Sequence, residues 1–109
     1  MADPRSRQLK IKTGVVTRLA KEKLMYEKEA KQQEEKVERM KTEEGTDEYM
    51  VKKQTEILQE SRMMIPDCQR RLAAAHAELS QLLDNEKDLE ETEEYKKAQL
   101  VIESVKLEA

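Results

Sequence analysis

The sequence predicts an all-α fold: an elongated antiparallel three-helix bundle, up-down-up, with coiled-coil-like heptad packing, two long helices and a shorter third. Three observations lead there. Val51, Leu58, Ile65, Leu72 and Leu79 recur every seven residues, with Gln54, Ser61, Cys68, Ala75 and Leu82 between them. This alternation of three- and four-residue steps is the heptad of a helix with one apolar stripe. Only two glycines and two prolines punctuate the 109 residues, so the elements must be long. Finally, 41 % of the chain is charged and 3 % aromatic, with no Trp or Phe. A compact globule needs more large apolar side chains than this, whereas long helices that each bury one stripe do not. Disorder is the competing reading of so polar a chain, but disordered segments have no need of a periodic apolar pattern.

The elements follow in order. Asp3 suits a helix cap and Pro4 a first helical position, so helix one starts at about residue 4. It runs to Glu44 and stops at Gly45, which tolerates the left-handed backbone that ends helices. Its seam is Leu9, Val16, Lys23, Ala30 and Val37 at one heptad position, and Lys12, Leu19, Tyr26, Gln33 and Met40 at the other. Gly14 inside it costs about 1 kcal/mol relative to Ala. Thr46 or Asp47 caps helix two, which runs from about 47 to 83. Pro66 sits inside it, removes one backbone hydrogen bond at a cost of ~3 kcal/mol, and predicts a kink. A capping-box pattern at Asp88–Glu91 starts helix three, about 89–107, with acidic residues in its first turns and Lys106 near its end, both suited to the helix dipole. The seam of helix three is Tyr95, Ala98, Ile102 and Val105. Residues 1–109 are thus expected to form a single three-helix domain.

Short connections make neighbouring helices antiparallel, and the register can be counted. Residue i of helix one faces about residue 91 − i of helix two, and residue k of helix three faces about 173 − k. Helix three then covers helix two from Leu83 up to Pro66. That end should be rich in apolar residues, and Val15, Ala20, Met64 and Leu83 widen its stripe. The other end is a bare hairpin with Gln33, Gln54 and Ser61 in its seam.

No catalytic constellation appears, and no enzyme is expected. His76 and Cys68 are the only residues of their kinds and lie roughly 12 Å apart along a helix at ~1.5 Å per residue, beyond the reach of a nucleophile–base pair. Cys68 reads as a small buried hydrophobe and His76 as a partly exposed surface residue. There is no metal-ligand spacing and no phosphate-binding glycine loop, so no metal or cofactor is expected. The many acidic pairs read as solvated helix surface with salt bridges such as Glu35 with Arg39. A lone cysteine, no apolar run near the ~18 residues that cross a membrane, and no signal-peptide core point to a soluble cytoplasmic protein.

Charge is uneven along the chain. Residues 1–23 carry seven cationic and two acidic side chains, net +5, while residues 84–109 carry four lysines and nine acidic side chains, net −5. Mutual neutralisation of helices one and three accounts for this; the functional alternative is a basic face for an acidic partner. Nucleic acid is not expected, since no aromatics interleave the basic segment and the whole chain is net −3.

Apolar residues off the seam are the better functional clue. Leu24, Met25, Met63, Leu100 and Leu107 occupy outer positions, and Val37, Met40, Met50 and Ile57 lie where helix three is not expected to reach. Methionine adapts to irregular partners. Ordinary packing in a wide stripe is the plain alternative. The candidate protein-binding residues are Val37, Met40, Met50, Ile57 and Met63.

Several strings have a wider likeness. QESRMMIPDCQRRL at 59–72, KIKTGVV at 10–16, MYEKEAKQQEEK at 25–36 and the terminal SVKLEA resemble the corresponding segments of the tubulin-binding cofactor A (tubulin-specific chaperone A) family, and the resemblance covers essentially the whole chain. Glu43–Met50 and Ala73–Gln81 are the least similar stretches. The resemblance implies a three-helix bundle that captures quasi-native β-tubulin on the way to the α/β heterodimer, stoichiometrically and without nucleotide hydrolysis. It also implies a cytoskeleton-associated cytoplasmic protein, with no nucleic acid or membrane partner. The alternative reading is a structural coiled coil that homodimerises through the same heptad stripe; otherwise the chain is expected to be a monomer.

Overall fold

A computed structural model describes residues 3–105. Among these are three α-helices, α1 (Pro4–Thr42), α2 (Glu48–Asn85) and α3 (Glu93–Ser104), with a 3₁₀ turn at Lys87–Leu89 and no strand. The fold is the all-helical, three-helix class that the stripe predicts. Lys106 and Leu107, assigned above to helix three, lie outside the described residues.

Each helix end has a local cause. The Arg5 backbone N–H donates to Asp3 Oδ1 at 2.9 Å, satisfying one of the amides that no helix can pair internally. α1 ends at Thr42, two residues before the expected Glu44, and Gly45 then turns with φ 81°. The Tyr49 N–H donates to Asp47 Oδ1 at 2.9 Å, so Asp47 and not Thr46 caps α2. Pro66 lies inside α2, which is helical throughout. With no N–H of its own, it leaves the Arg62 carbonyl without the usual helical donor.

Helix three starts later than the pattern at Asp88 predicts. Residues 87–89 form the 3₁₀ turn, with the Leu89 N–H donating to the Glu86 carbonyl at 2.9 Å. Thr92 is the cap: its Oγ1 accepts from the Tyr95 N–H at 3.2 Å, and Glu93 and Glu94 occupy the first turn. Asp88, with the same cap chemistry and two glutamates after it, is instead taken up in the 3₁₀ turn, so Thr92 is left to cap the helix.

The longer connection shifts the register of α3. Counting placed Tyr95 opposite about residue 78, but its hydroxyl donates to the Leu83 carbonyl at 3.0 Å. It placed Ile102 opposite about residue 71, but the Ile102 carbonyl meets His76 Nε2 at 3.1 Å. Both pairs are displaced in the same direction, towards the connection, and the last turn of α3 lies beside His76 rather than Pro66. These bonds are also reciprocal. Each uses a side chain of one helix to satisfy a carbonyl in the last turn of the other, where helical partners run out.

The chain divides into two compact units: residues 1–21 with 69–109, and residues 22–68. In the first unit, α1, α2 and α3 bury Leu9, Val16, Leu19, Leu72, Leu79, Leu83, Leu89, Tyr95 and Ala98 together. Arg5 pairs with Glu86, and Lys12 with Glu78, confirming the antiparallel register of α1 on α2. The second unit is a two-helix hairpin with a smaller core of Ala30, Val37 and Leu58, against which Ile65 packs. Gln33 and Gln54, the polar seam residues, hold one another: Gln33 Nε2 donates to the Gln54 Oε1 and carbonyl oxygen, each at 2.9 Å. Lys23 is buried at its seam position, with Nζ 3.6 Å from Glu27 Oε1. The stem of a lysine can cover apolar surface in this way while its ammonium meets a carboxylate. Cys68, in the same unit, is buried.

Candidate functional site

The hairpin presents its apolar residues in two ways. Ala30, Val37 and Leu58 face inward, whereas the outer flank of α2 carries Ile57, Met63 and Met64, which are 41 %, 73 % and 39 % exposed. Ile57, Glu60, Ser61, Met63 and Met64 of α2 and Tyr26 and Glu29 of α1 line one shallow groove of about 400 Å³. Positions 57, 60, 61 and 64 are neighbours on one helical face, which is why this stretch of α2 turns a continuous surface outward. Glu29 and Glu60 bring carboxylates to an otherwise apolar groove.

The five sequence candidates separate here. Ile57 and Met63 come together in this groove. Met50 is 49 % exposed, on the first turns of α2. Met40 is half-buried and lines a different depression with Lys41, Glu43, Thr46, Glu48 and Val51. Val37 is 2 % exposed and belongs to the hairpin core, so it is not part of the exposed surface. Its heptad position faces the partner helix, and seam geometry overrides its place on the thinner hairpin. Tyr26 and Met64 were missed as site residues. Tyr26 was counted as seam, and Met64 was assigned to the three-helix end, whereas it lies in the hairpin unit beside Met63. The adjacent Met63-Met64 pair was the available signal, because consecutive residues cannot both point into one narrow seam.

His76 is half-buried and bonded to α3, a more structural position than its sequence context suggests. The basic N-terminal segment meets the acidic 84–109 segment at Arg5, which pairs with Glu86 and Asp88 before α3 begins. Arg5 Nη1 lies 2.6 Å from Glu86 and 2.9 Å from Asp88, and Nη2 lies 2.7 Å from Asp3, while Lys12 pairs with Glu78 of α2. The hydrogen bonds to Asp3, then Glu86 and Asp88, push the Arg5 guanidinium further above its already high value. The Arg5 side chain and backbone N–H in turn hold the Asp3 carboxyl below its ordinary value. None of these ion pairs joins α1 to α3, although Lys10 and Lys21 line a groove with Glu93 and Glu94.

Among the described residues no cluster of His, Cys, Asp or Glu is placed to hold a metal ion, and no helix is long and apolar enough to cross a membrane. The molecule is thus a small three-helix protein with mixed-charge faces and an exposed, methionine-bearing flank on its hairpin.

The family model described as tubulin binding cofactor A matches residues 4–102, and the chain belongs to that family. It is 76 % identical, over the full length of both chains, to the tubulin-specific chaperone A of Bos taurus. Its fold is similar to the solved human tubulin chaperone cofactor A, with a TM-score of 0.83 at 70 % identity, covering 95 % of this chain and all of that one. The crystal structure of tubulin folding cofactor A from Arabidopsis thaliana gives a TM-score of 0.82 at 40 % identity, covering 93 % of this chain and 94 % of that one.

Proposed function

We propose that this chain is a tubulin-folding chaperone that captures quasi-native β-tubulin as a stoichiometric binding partner on the way to the α/β heterodimer. The observation that carries the reading is full-length identity of 76 % to a protein named tubulin-specific chaperone A. The site we assign to the client is the hairpin groove of Tyr26, Ile57, Met63 and Met64. Its apolar side chains cover an interface on the client, their unbranched methionines adapt to its shape, and Glu29 and Glu60 keep the unoccupied surface soluble. Such a mechanism needs exposed apolar area and no reacting group. The place of work is the cytoplasm, in association with the tubulin cytoskeleton.

Folding-competent β-tubulin mixed with the protein is expected to co-elute with it as a 1:1 complex on gel filtration. Absence of co-elution contradicts the function. A complex that forms undiminished with Ile57→Glu/Met63→Glu contradicts the site alone. The competing reading, dimerisation through the heptad stripe, has less support because Leu58, Leu72 and Leu79 are already buried by the chain's own helices. Light scattering over a range of concentrations separates the two, with a persistent monomer expected.

A further inference from the structure

A groove of about 610 Å³ runs between α1 and α3, wholly within the three-helix unit. Its α1 wall is Lys10, Thr13, Gly14, Thr17, Arg18 and Lys21, and its α3 wall is Glu93, Glu94 and Lys97. The α1 residues recur at three- and four-residue steps, so they form one continuous helical face. Lys10 and Lys21 stand at its ends, roughly 17 Å apart at ~1.5 Å per residue. Lys10, Lys21 and Lys97 form no ion pair among the described residues.

The floor is open where the fold does not require it. A Cβ on Gly14 would meet nothing within 4 Å, and its backbone is ordinary helix. The protein's own packing therefore gives no reason for a helix-weakening glycine at this position. The Thr13 and Thr17 hydroxyls donate to the Leu9 and Thr13 carbonyls of their own helix, at 2.6 and 3.0 Å, and so do not reach across the groove. Charge favours an acidic occupant. Three lysines without ion pairs among the described residues line the groove against two carboxylates, and those carboxylates lie in the first turn of α3, where the helix dipole partly offsets them.

We propose that this groove docks an acidic peptide segment of a protein partner, whose carboxylates meet Lys10, Lys21 and Lys97 while its backbone passes close over Gly14. A peptide fits better than a nucleic acid because the groove offers no aromatic side chain for stacking. The proposal does not rest on the tubulin reading.

The test uses the full chain and a fluorescein-labelled oligoglutamate peptide, with fluorescence anisotropy at low salt. The peptide is expected to bind, and Lys10→Glu/Lys21→Glu to weaken it at least about tenfold, while Lys28→Glu/Lys31→Glu in the hairpin leaves it unchanged. Gly14→Leu, whose side chain enters the groove, is expected to weaken binding with the helical circular dichroism intact. No binding, equal loss in the Lys28/Lys31 variant, or an undiminished Gly14→Leu complex overturns the proposal. So does an oligonucleotide of equal charge that binds more tightly than the peptide. If Gly14→Leu loses helicity, the two charge-reversal variants decide.

Discussion

The buried cluster of the three-helix unit has nine apolar side chains and that of the hairpin unit three, with Cys68 buried as well. The same two long helices supply both. The first unit adds α3, which packs on the same apolar stripe, and each helix holds the last turn of the other: Tyr95 of α3 at Leu83, and His76 of α2 at Ile102. The hairpin has only its own two seams, one layer of which is the Gln33–Gln54 pair. Leu24, Met25, Tyr49 and Met50 are exposed elsewhere on the hairpin unit, and two adjacent methionines and an isoleucine gather around Tyr26 in one groove. The difference suggests a division of labour to test: the larger buried cluster lies in the first unit, and the client surface we propose lies in the second.

The largest effect that tests this division is core truncation. Leu79 is fully buried in the three-helix cluster, so Leu79→Ala should cost about 3–5 kcal/mol in urea unfolding. Leu58→Ala in the hairpin should cost less, about 2 kcal/mol, because fewer buried neighbours surround the space it leaves. Equal costs would break the comparison. Next comes Pro66. Replacing it with alanine restores a helical donor and should stabilise the chain by about 1–3 kcal/mol. It should also slow amide exchange in the 62–68 stretch, where we expect a kink. Unchanged stability and unchanged exchange would show that the proline is already accommodated at no cost.

His76→Ala removes a partner of the Ile102 carbonyl and should cost about 1 kcal/mol. Faster exchange should be confined to the last turn of α3, which sharpens the claim that α3 is tied at its end by α2. Least costly is acid. The folded Asp3 carboxyl titrates below its ordinary value, so its contribution is fully present above about 3.8 and is lost as pH falls through the folded value. Amide exchange at Arg5 should quicken there through fraying of α1, without loss of either core. Fraying that begins near neutral pH would contradict the assignment to Asp3.

Much of this was legible in the chain. Heptad spacing shows which residues of α2 face inward, since periodicity follows directly from helical geometry. Gln33 and Gln54 could be seen to thin the hairpin seam, though not to bond to each other. The start of α3 was misplaced because two caps compete within five residues, and which one prevails depends on the 3₁₀ turn between them. That one local choice shifted both α3 pairings with α2, Tyr95 with Leu83 and Ile102 with His76. The candidate residues erred for a different reason. Val37 of α1 stands at a seam position and Ile57 of α2 does not, so the heptad separates them; Val37 was wrongly kept as a candidate on the thinness of the hairpin, and its burial shows that the seam position decides.

The most direct test of the division of labour is hydrogen exchange of the protein alone and with β-tubulin. The account predicts new protection around Tyr26–Glu29 and Ile57–Met64 on adding the client. Exchange in those two segments that stays unchanged in a demonstrated complex would contradict it.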